Sequence, residues 1–274
     1  MVFSCILVAN FKRMRHYFIA VAIALLFSQS APGATIALWN FNSFPADSDT
    51  GTGSLQPAIG SGTAYLVGTV TGSFTAANGS SDVNADNSNW RITTWPAQST
   101  QNKQNGIGFR MSTVGYRNLW VSWDLRNSNT ASKYIRLQYT TNGVDYVDFQ
   151  LITMPAETWV NGQTVSFVGV AGVKNNAAFG IRFVTEFGNT ATGSGVAGYV
   201  PSSPTSTYGT VGTLRFDQVL VSGDEVLSNF SVLSYNIQGG GATNWSLDHP
   251  QVQAIGRQLA HLRPDIVGFQ EIPE

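Results

Sequence analysis

The chain has 274 residues, 43% of them hydrophobic and only 11% charged, and 15 Lys and Arg against 16 Asp and Glu leave a formal net charge of −1 at pH 7. That length holds one large or two modest domains with a proper core. The charge balance excludes a global field that would draw the protein to nucleic acid or an anionic membrane, so any polyanion-binding surface has to be local.

Lys12, Arg13, Arg15 and His16 precede an apolar run over residues 17–27, and small residues follow in Ser28-Gln-Ser-Ala-Pro-Gly-Ala34. A membrane-spanning helix needs ~20 apolar residues. A basic start, a run of ~10 apolar residues and a small-residue exit describe a secretory signal peptide instead. Residues 1–34 are therefore read as an export signal cleaved between Ser30 and Ala34, and the protein as secreted, periplasmic or extracellular. Cys5, the single cysteine, lies in the segment to be removed, which leaves no thiol nucleophile, thiolate metal site or disulfide.

Residues 35–223 read as a β-sandwich or jelly roll, because short alternating runs rich in aromatic and β-branched residues are separated by Gly, Asn, Ser and Pro clusters. Strands are predicted at 36–41, 64–70, 106–111, 118–125, 134–140, 147–152, 164–168, 178–186 and 213–222. Asn142-Gly143 supplies residues suited to the positive φ of a tight hairpin turn. Residues 214–221 alternate between in-facing apolar and out-facing polar side chains, as a closing strand would. The low-complexity stretch 187–212 is predicted to be a mobile surface loop that packs poorly. Through Ala37-Leu-Trp-Asn-Phe-Asn42, Leu119-Trp-Val-Ser-Trp-Asp124 and Leu214-Arg-Phe-Asp-Gln-Val-Leu-Val-Ser-Gly223, this region resembles the jelly-roll, concanavalin-like or carbohydrate-binding-like modules of secreted bacterial enzymes.

After a linker at 224–229, a new pattern fills 230–274. Residues 230–236 alternate like a strand. Asp248 is a plausible N-cap with Pro250 in the first turn. Val252, Ile255, Leu259 and Leu262 recur on one helical face, and Pro264 ends the helix. Residues 265–269 form a second apolar strand, which runs into Gln270-Glu271. A strand-helix-strand unit sets Asn236 and Glu271 at the C-terminal ends of neighbouring strands, the edge where open α/β sheets carry their sites.

Ser234-Tyr-Asn-Ile237 and Pro264-Asp-Ile-Val-Gly-Phe-Gln-Glu271 resemble the opening of the endonuclease/exonuclease/phosphatase superfamily. That resemblance implies a two-layered phosphoesterase domain. In it Glu271 binds Mg²⁺ or Mn²⁺, and Asn236 is a catalytic residue that helps hold metal and phosphate. The substrate is a phosphodiester, with nucleic acid the expected partner. The general-base His and its partners of that family have no match in this chain, so the segment reads as a truncated opening that is inactive by itself. The expectation is thus the N-terminal portion of a secreted, monomeric, metal-dependent phosphodiesterase. The alternative is an extracellular carbohydrate-binding or adhesion β-sandwich without catalysis, taking a polysaccharide or cell-surface ligand.

Weaker candidates complete the reading. Asp82-Val-Asn-Ala-Asp-Asn-Ser88 spaces oxygen donors like a calcium loop but lacks its central Gly, and is read as a polar turn. Asp47, Asp49 and Asp124 have no ligand spacing. Trp90, Trp95, Trp120, Trp123 and Trp159 are read as packing rather than as a sugar-stacking platform.

Overall fold

A computed structural model describes residues 33–226, 232–236, 248–262, 264 and 266–270. The predicted export signal lies outside the described residues up to residue 32. Among the described residues no helix is long and apolar enough to cross a membrane.

The expected mainly-β sandwich is present. One sheet of seven strands contains β1 (Ala34–Trp39), β2 (Ile59–Gly60), β4 (Thr71–Ala76), β5 (Ser88–Thr93), β7 (Tyr116–Asn127), β10 (Trp159–Ser166) and β12 (Leu214–Glu225). The other contains β3 (Thr63–Val67), β6 (Gly106–Met111), β8 (Tyr134–Thr140), β9 (Val147–Thr153) and β11 (Phe179–Thr185), in the order β3-β6-β11-β8-β9. Every pairing within these two sheets is antiparallel.

Period-two alternation explains the layers. Ile107, Phe109 and Met111 of β6 and Phe179, Ile181 and Phe183 of β11 are buried, so the residues between them point to the outer face. The inward aromatics join the sheets: Phe109 lies 4.9 Å from Trp39 and 6.4 Å from Phe183, and Phe183 lies 5.0 Å from Trp123 and 5.3 Å from Phe216. Truncating such a ring to Ala costs about 3–5 kcal/mol, because transfer and cavity contributions add. Trp90, Trp95 and Trp123 are all buried, in keeping with the packing role predicted for them.

The closing strand departs from the clean alternation expected of it. Leu214 and Phe216 face inward, but Gln218 has φ 47° and the register shifts between Asp217 and Leu220, so Val219 and Val221 become the next inward residues. This bulge resets the phase and buries Asp217 completely. Burial, with Asp82 and Asp124 adding repulsion, pushes the Asp217 carboxyl up to about 8.

Other boundaries moved for local reasons. β4 and β5 were not predicted, since Gly, Ser and Asn dilute their alternation, but both pair into the large sheet. β10 begins at Trp159 rather than at 164, because pairing with β7 carries it through a bulge at Val160–Gln163, where Asp124 Oδ1 accepts the Gly162 N–H at 2.7 Å. The β8–β9 connection is longer than a two-residue turn. Only Gly143 takes positive φ (76°), while Asn142 Oδ1 accepts the Val144 and Asp145 N–H groups, each at 2.9 Å.

Segment 187–212 is no loosely packed loop. It contains the short helix α1 (Gly188–Thr192), and Tyr199 is buried, stacked on Tyr208 at 4.6 Å. The Tyr199 hydroxyl hydrogen-bonds to the Thr100 carbonyl at 3.0 Å, and the Tyr208 hydroxyl donates to the Pro96 carbonyl at 2.9 Å. Two tyrosines anchor what composition alone reads as unanchored.

The predicted strand-helix-strand is also present. β13 (Val232–Asn236) and β14 (Ile266–Gln270) form a two-stranded parallel sheet, registered from Val232↔Ile266 to Asn236↔Gln270, and α2 (Pro250–Leu262) connects them. The Gln253 N–H donates to the His249 carbonyl, so the helix is entered from His249 rather than from the expected Asp248. Leu262 is exposed, so the apolar face ends at Leu259.

Candidate functional site

The two residues predicted to carry chemistry are not brought into a described site. Of Asn236 only the backbone is described, at the end of β13 opposite Gln270, and Glu271 lies outside the described residues. Among the described residues no group of three or more His, Cys, Asp or Glu side chains is placed to hold a metal ion. The Asp82 segment is a polar turn as expected: Asp82 Oδ1 accepts the Asn84 N–H at 2.9 Å and Oδ2 accepts Asn42 Nδ2 at 2.8 Å.

The outer face of the five-stranded sheet is different in kind. Its central cross-strand row runs Tyr65–Gly108–Arg182–Gln138–Asp148, one residue from each strand in register. The adjacent row runs Thr63–Arg110–Gly180–Thr140. Glycines thus sit on the outer face in β6 and β11, two of the three interior strands, diagonal to one another and each opposite an arginine.

Those glycines make room for tyrosines. A Cβ on Gly108 would lie 2.4 Å from the Tyr65 ring, and one on Gly180 would meet the Phe109 carbonyl at 3.0 Å and Thr140 Cγ2 at 3.1 Å, with the Tyr146 hydroxyl at 3.3 Å. Tyr65 reaches inward from one edge strand and Tyr146, just ahead of β9, from the other edge, and their hydroxyls hydrogen-bond over the middle of the sheet. Burial first, then the bond to Tyr146, raises the Tyr65 pKa above the usual tyrosine range, so the phenol stays neutral.

Both arginines lie against these rings. The Arg110 guanidinium is 5.1 Å from the Tyr65 centroid and that of Arg182 is 4.1 Å from the Tyr146 centroid, distances at which a cation is attracted to the π face. Arg110 Nη2 also donates to the Gly143 carbonyl at 2.9 Å, and Arg182 Nε donates to Gln138 Oε1. Gln138 turns its amide nitrogen to Asp148, whose other oxygen accepts from Lys103. Burial opposes ionisation of Asp148, but the hydrogen bonds from Gln138 and Lys103 outweigh it and hold the carboxyl below its ordinary value. Arg136 Nε donates to the fully buried Glu186 at 2.8 Å, with Lys103 on the other oxygen at 3.5 Å.

Beside Arg110 the face opens into a cleft of about 350 Å³ lined by Arg110, Ser112, Gly143 and Ala178 among others. Its size lies within the ~300–1,000 Å³ of ligand pockets. The face offers phenols, a planar amide, carboxylates and guanidiniums.

No family model and no curated protein matches the chain. Solved structures do. The xylan-binding CBM22-1 domain of Paenibacillus barcinonensis Xyn10C matches with 9% identity over 71% of this chain and 97% of its own, at a TM-score of 0.39. The C-terminal family 22 carbohydrate-binding module of Clostridium thermocellum Xyn10B has 14% identity, 65% and 94% coverage and a TM-score of 0.36. The K1 cleaved adhesin domain of Lys-gingipain from Porphyromonas gingivalis has 11% identity, 60% and 99% coverage and a TM-score of 0.34.

These likenesses are to carbohydrate-binding and adhesin modules, and the match to a phosphoesterase family that the two strand ends implied is not found. The expected membership of the endonuclease/exonuclease/phosphatase superfamily is corrected accordingly, and nuclease or phosphodiesterase activity and a nucleic-acid substrate fall with it. The physical reason is plain. Short apolar strands ending in Asn or Gln-Glu are what a parallel strand-helix-strand unit produces wherever a buried strand meets a polar edge.

None of the face residues was singled out from the sequence. A signal was there: Gly106-Ile-Gly-Phe-Arg110 and Gly180-Ile-Arg182 alternate core residues with glycine and arginine, and outward glycines within a strand mark a close approach from above.

Proposed function

We propose that the β-sandwich is a polysaccharide-binding module whose ligand lies across the outer face of the five-stranded sheet, along the row from Tyr65 to Asp148. The observation that supports this reading most is the pair of phenols laid end to end over Gly108 and Gly180, flanked by the Gln138 amide, the Asp148 carboxylate and two guanidiniums. Sugars present apolar C–H faces and rims of hydroxyls. Tyrosine has an apolar body and a polar tip, and planar amide, carboxylate and guanidinium groups exchange paired hydrogen bonds with neighbouring hydroxyls. Four inter-strand steps of ~4.8 Å give the row a length of ~19 Å, suited to a chain rather than a single sugar.

The reading rests on this face, since a TM-score of 0.39 to the xylan-binding module is too low to carry a ligand across. Export belongs to the same reading: the basic start and short apolar run at 12–27 would deliver the module to where polysaccharides are.

Affinity electrophoresis against a panel of soluble polysaccharides tests it. Retardation by at least one is expected for the unaltered chain. Gly108→Ala displaces only the flexible tip of Tyr65, so it should keep the fold while weakening retention by about tenfold, the equivalent of one lost ~1.4 kcal/mol contact. No retardation by any polysaccharide, or unchanged retention in Gly108→Ala, would overturn the assignment.

A further inference from the structure

We infer that the polysaccharide is acidic: the face is built to take an anionic group on the sugar, beside Arg110 and Arg182. This rests on the polysaccharide-binding reading and sharpens its substrate class.

The argument is one of unmatched, preorganised charge. The face carries four cations, Lys103, Arg110, Arg136 and Arg182, and the carboxylates among them are already engaged. Asp148 is held by Lys103 and Gln138, and Glu186 by Arg136 and Lys103. Asp145, in the neighbouring loop, has Oδ2 held by the Asn142 amide at 2.8 Å. Among the described residues, neither Arg110 nor Arg182 has a carboxylate oxygen within the 4.0 Å of an ion pair.

Both guanidiniums are nevertheless oriented. Each lies against a tyrosine ring and donates to a neutral acceptor, Gly143 O or Gln138 Oε1, and Arg110 also interacts with the Tyr146 and Tyr65 hydroxyls, so the partners of both are neutral groups. Arg182 is half-buried, an environment that disfavours an unpaired charge. A surface ordinarily leaves free arginines mobile and fully solvated. Two that are stacked on rings, hydrogen-bonded to neutral groups and outside ion-pair distance of any described carboxylate suit a carboxylate or a sulfate on the ligand. Arg110 also lines the 350 Å³ cleft, which gives the substituent on the ring a place to enter.

The test compares polygalacturonate with its fully methyl-esterified form, which keeps the backbone and removes the charge. Dextran sulfate serves as the sulfate arm and polyglutamate as a polyanion without sugar. We expect the full chain to bind polygalacturonate or dextran sulfate at least about tenfold more tightly than the methyl ester or polyglutamate, as fits one charge-assisted contact. Preference for one of the two anionic polysaccharides identifies carboxylate or sulfate as the group recognised.

Exposed Arg110 is the safe probe: Arg110→Gln should lower the melting temperature by only a few degrees at most, as the loss of one exposed hydrogen bond and ring contact would, and abolish the preference. Equal affinity for the charged and esterified polymers overturns the acidic class and leaves polysaccharide binding standing. Binding of polyglutamate as tight as that of the anionic polysaccharides overturns it as mere polyanion attraction. Failure to bind any polysaccharide overturns both readings together.

Discussion

The hydroxyls of Tyr65 and Tyr146, 81 residues apart in the chain, hydrogen-bond to each other across the outer face of the five-stranded sheet. One side chain starts from an edge strand and the other from the loop before the opposite edge strand, so the bond ties both margins of the sheet over its glycine floor.

Tyr65→Phe and Tyr146→Phe should each lower unfolding free energy by about 0.5–1.5 kcal/mol, the net worth of one hydrogen bond. Because both remove the same bond, the double variant should cost little more than either one. Urea denaturation of the four proteins measures a coupling expected at about 0.5–1 kcal/mol. Strictly additive costs would mean that the two hydroxyls do not share a bond in solution.

Asp217 makes stability depend on pH in a direction opposite to most carboxylates. Its folded-state pKa is pushed up to about 8 from an ordinary 3.8. Between those values the folded state holds a proton that the unfolded state has released, so stability falls as pH rises through this window and levels off above it. Asp217→Asn removes that dependence while keeping the shape. Thermal melts from pH 4 to 8 should show the variant gaining on the unaltered protein as pH rises; parallel curves would show that the carboxyl titrates normally.

Tyr199 holds segment 187–212 to the body of the sandwich. Tyr199→Ala empties a buried site and removes the hydroxyl's contact with the Thr100 carbonyl, at a cost of about 3–5 kcal/mol by analogy with other buried rings. Limited proteolysis should leave the segment intact in the unaltered protein and cut it early in the variant. Equal cutting of both would restore the loosely packed loop that the composition suggests.

Much of the fold was legible because its signals are local. Gly106–Met111 and Tyr134–Thr140 match their predicted spans to the residue, since alternation of period two needs no knowledge of the partner strand. The helix 250–262 between two apolar strands was equally readable from its periodicity. β4 and β5 were not, because their polar residues are tolerated through pairing with β12 and with each other, which no window of sequence displays. Asn236 and Glu271 stood out because in the sequence they end apolar runs; of Asn236 only the backbone is described and Glu271 lies outside the described residues.

By itself, then, the sequence determined the layered β architecture, the strand-helix-strand that follows it and the burial of most tryptophans. These follow from hydrophobic periodicity, which acts over a few residues. Only the tertiary structure decided the make-up of the outer face of the five-stranded sheet. Tyr65, Gly108, Gln138, Asp148 and Arg182 come from five strands scattered over more than half the sandwich sequence, and register alone places them in one row. Likewise, the partners of each arginine are fixed by what lies across the sheet, so which charges stay unmatched is a property of the folded surface.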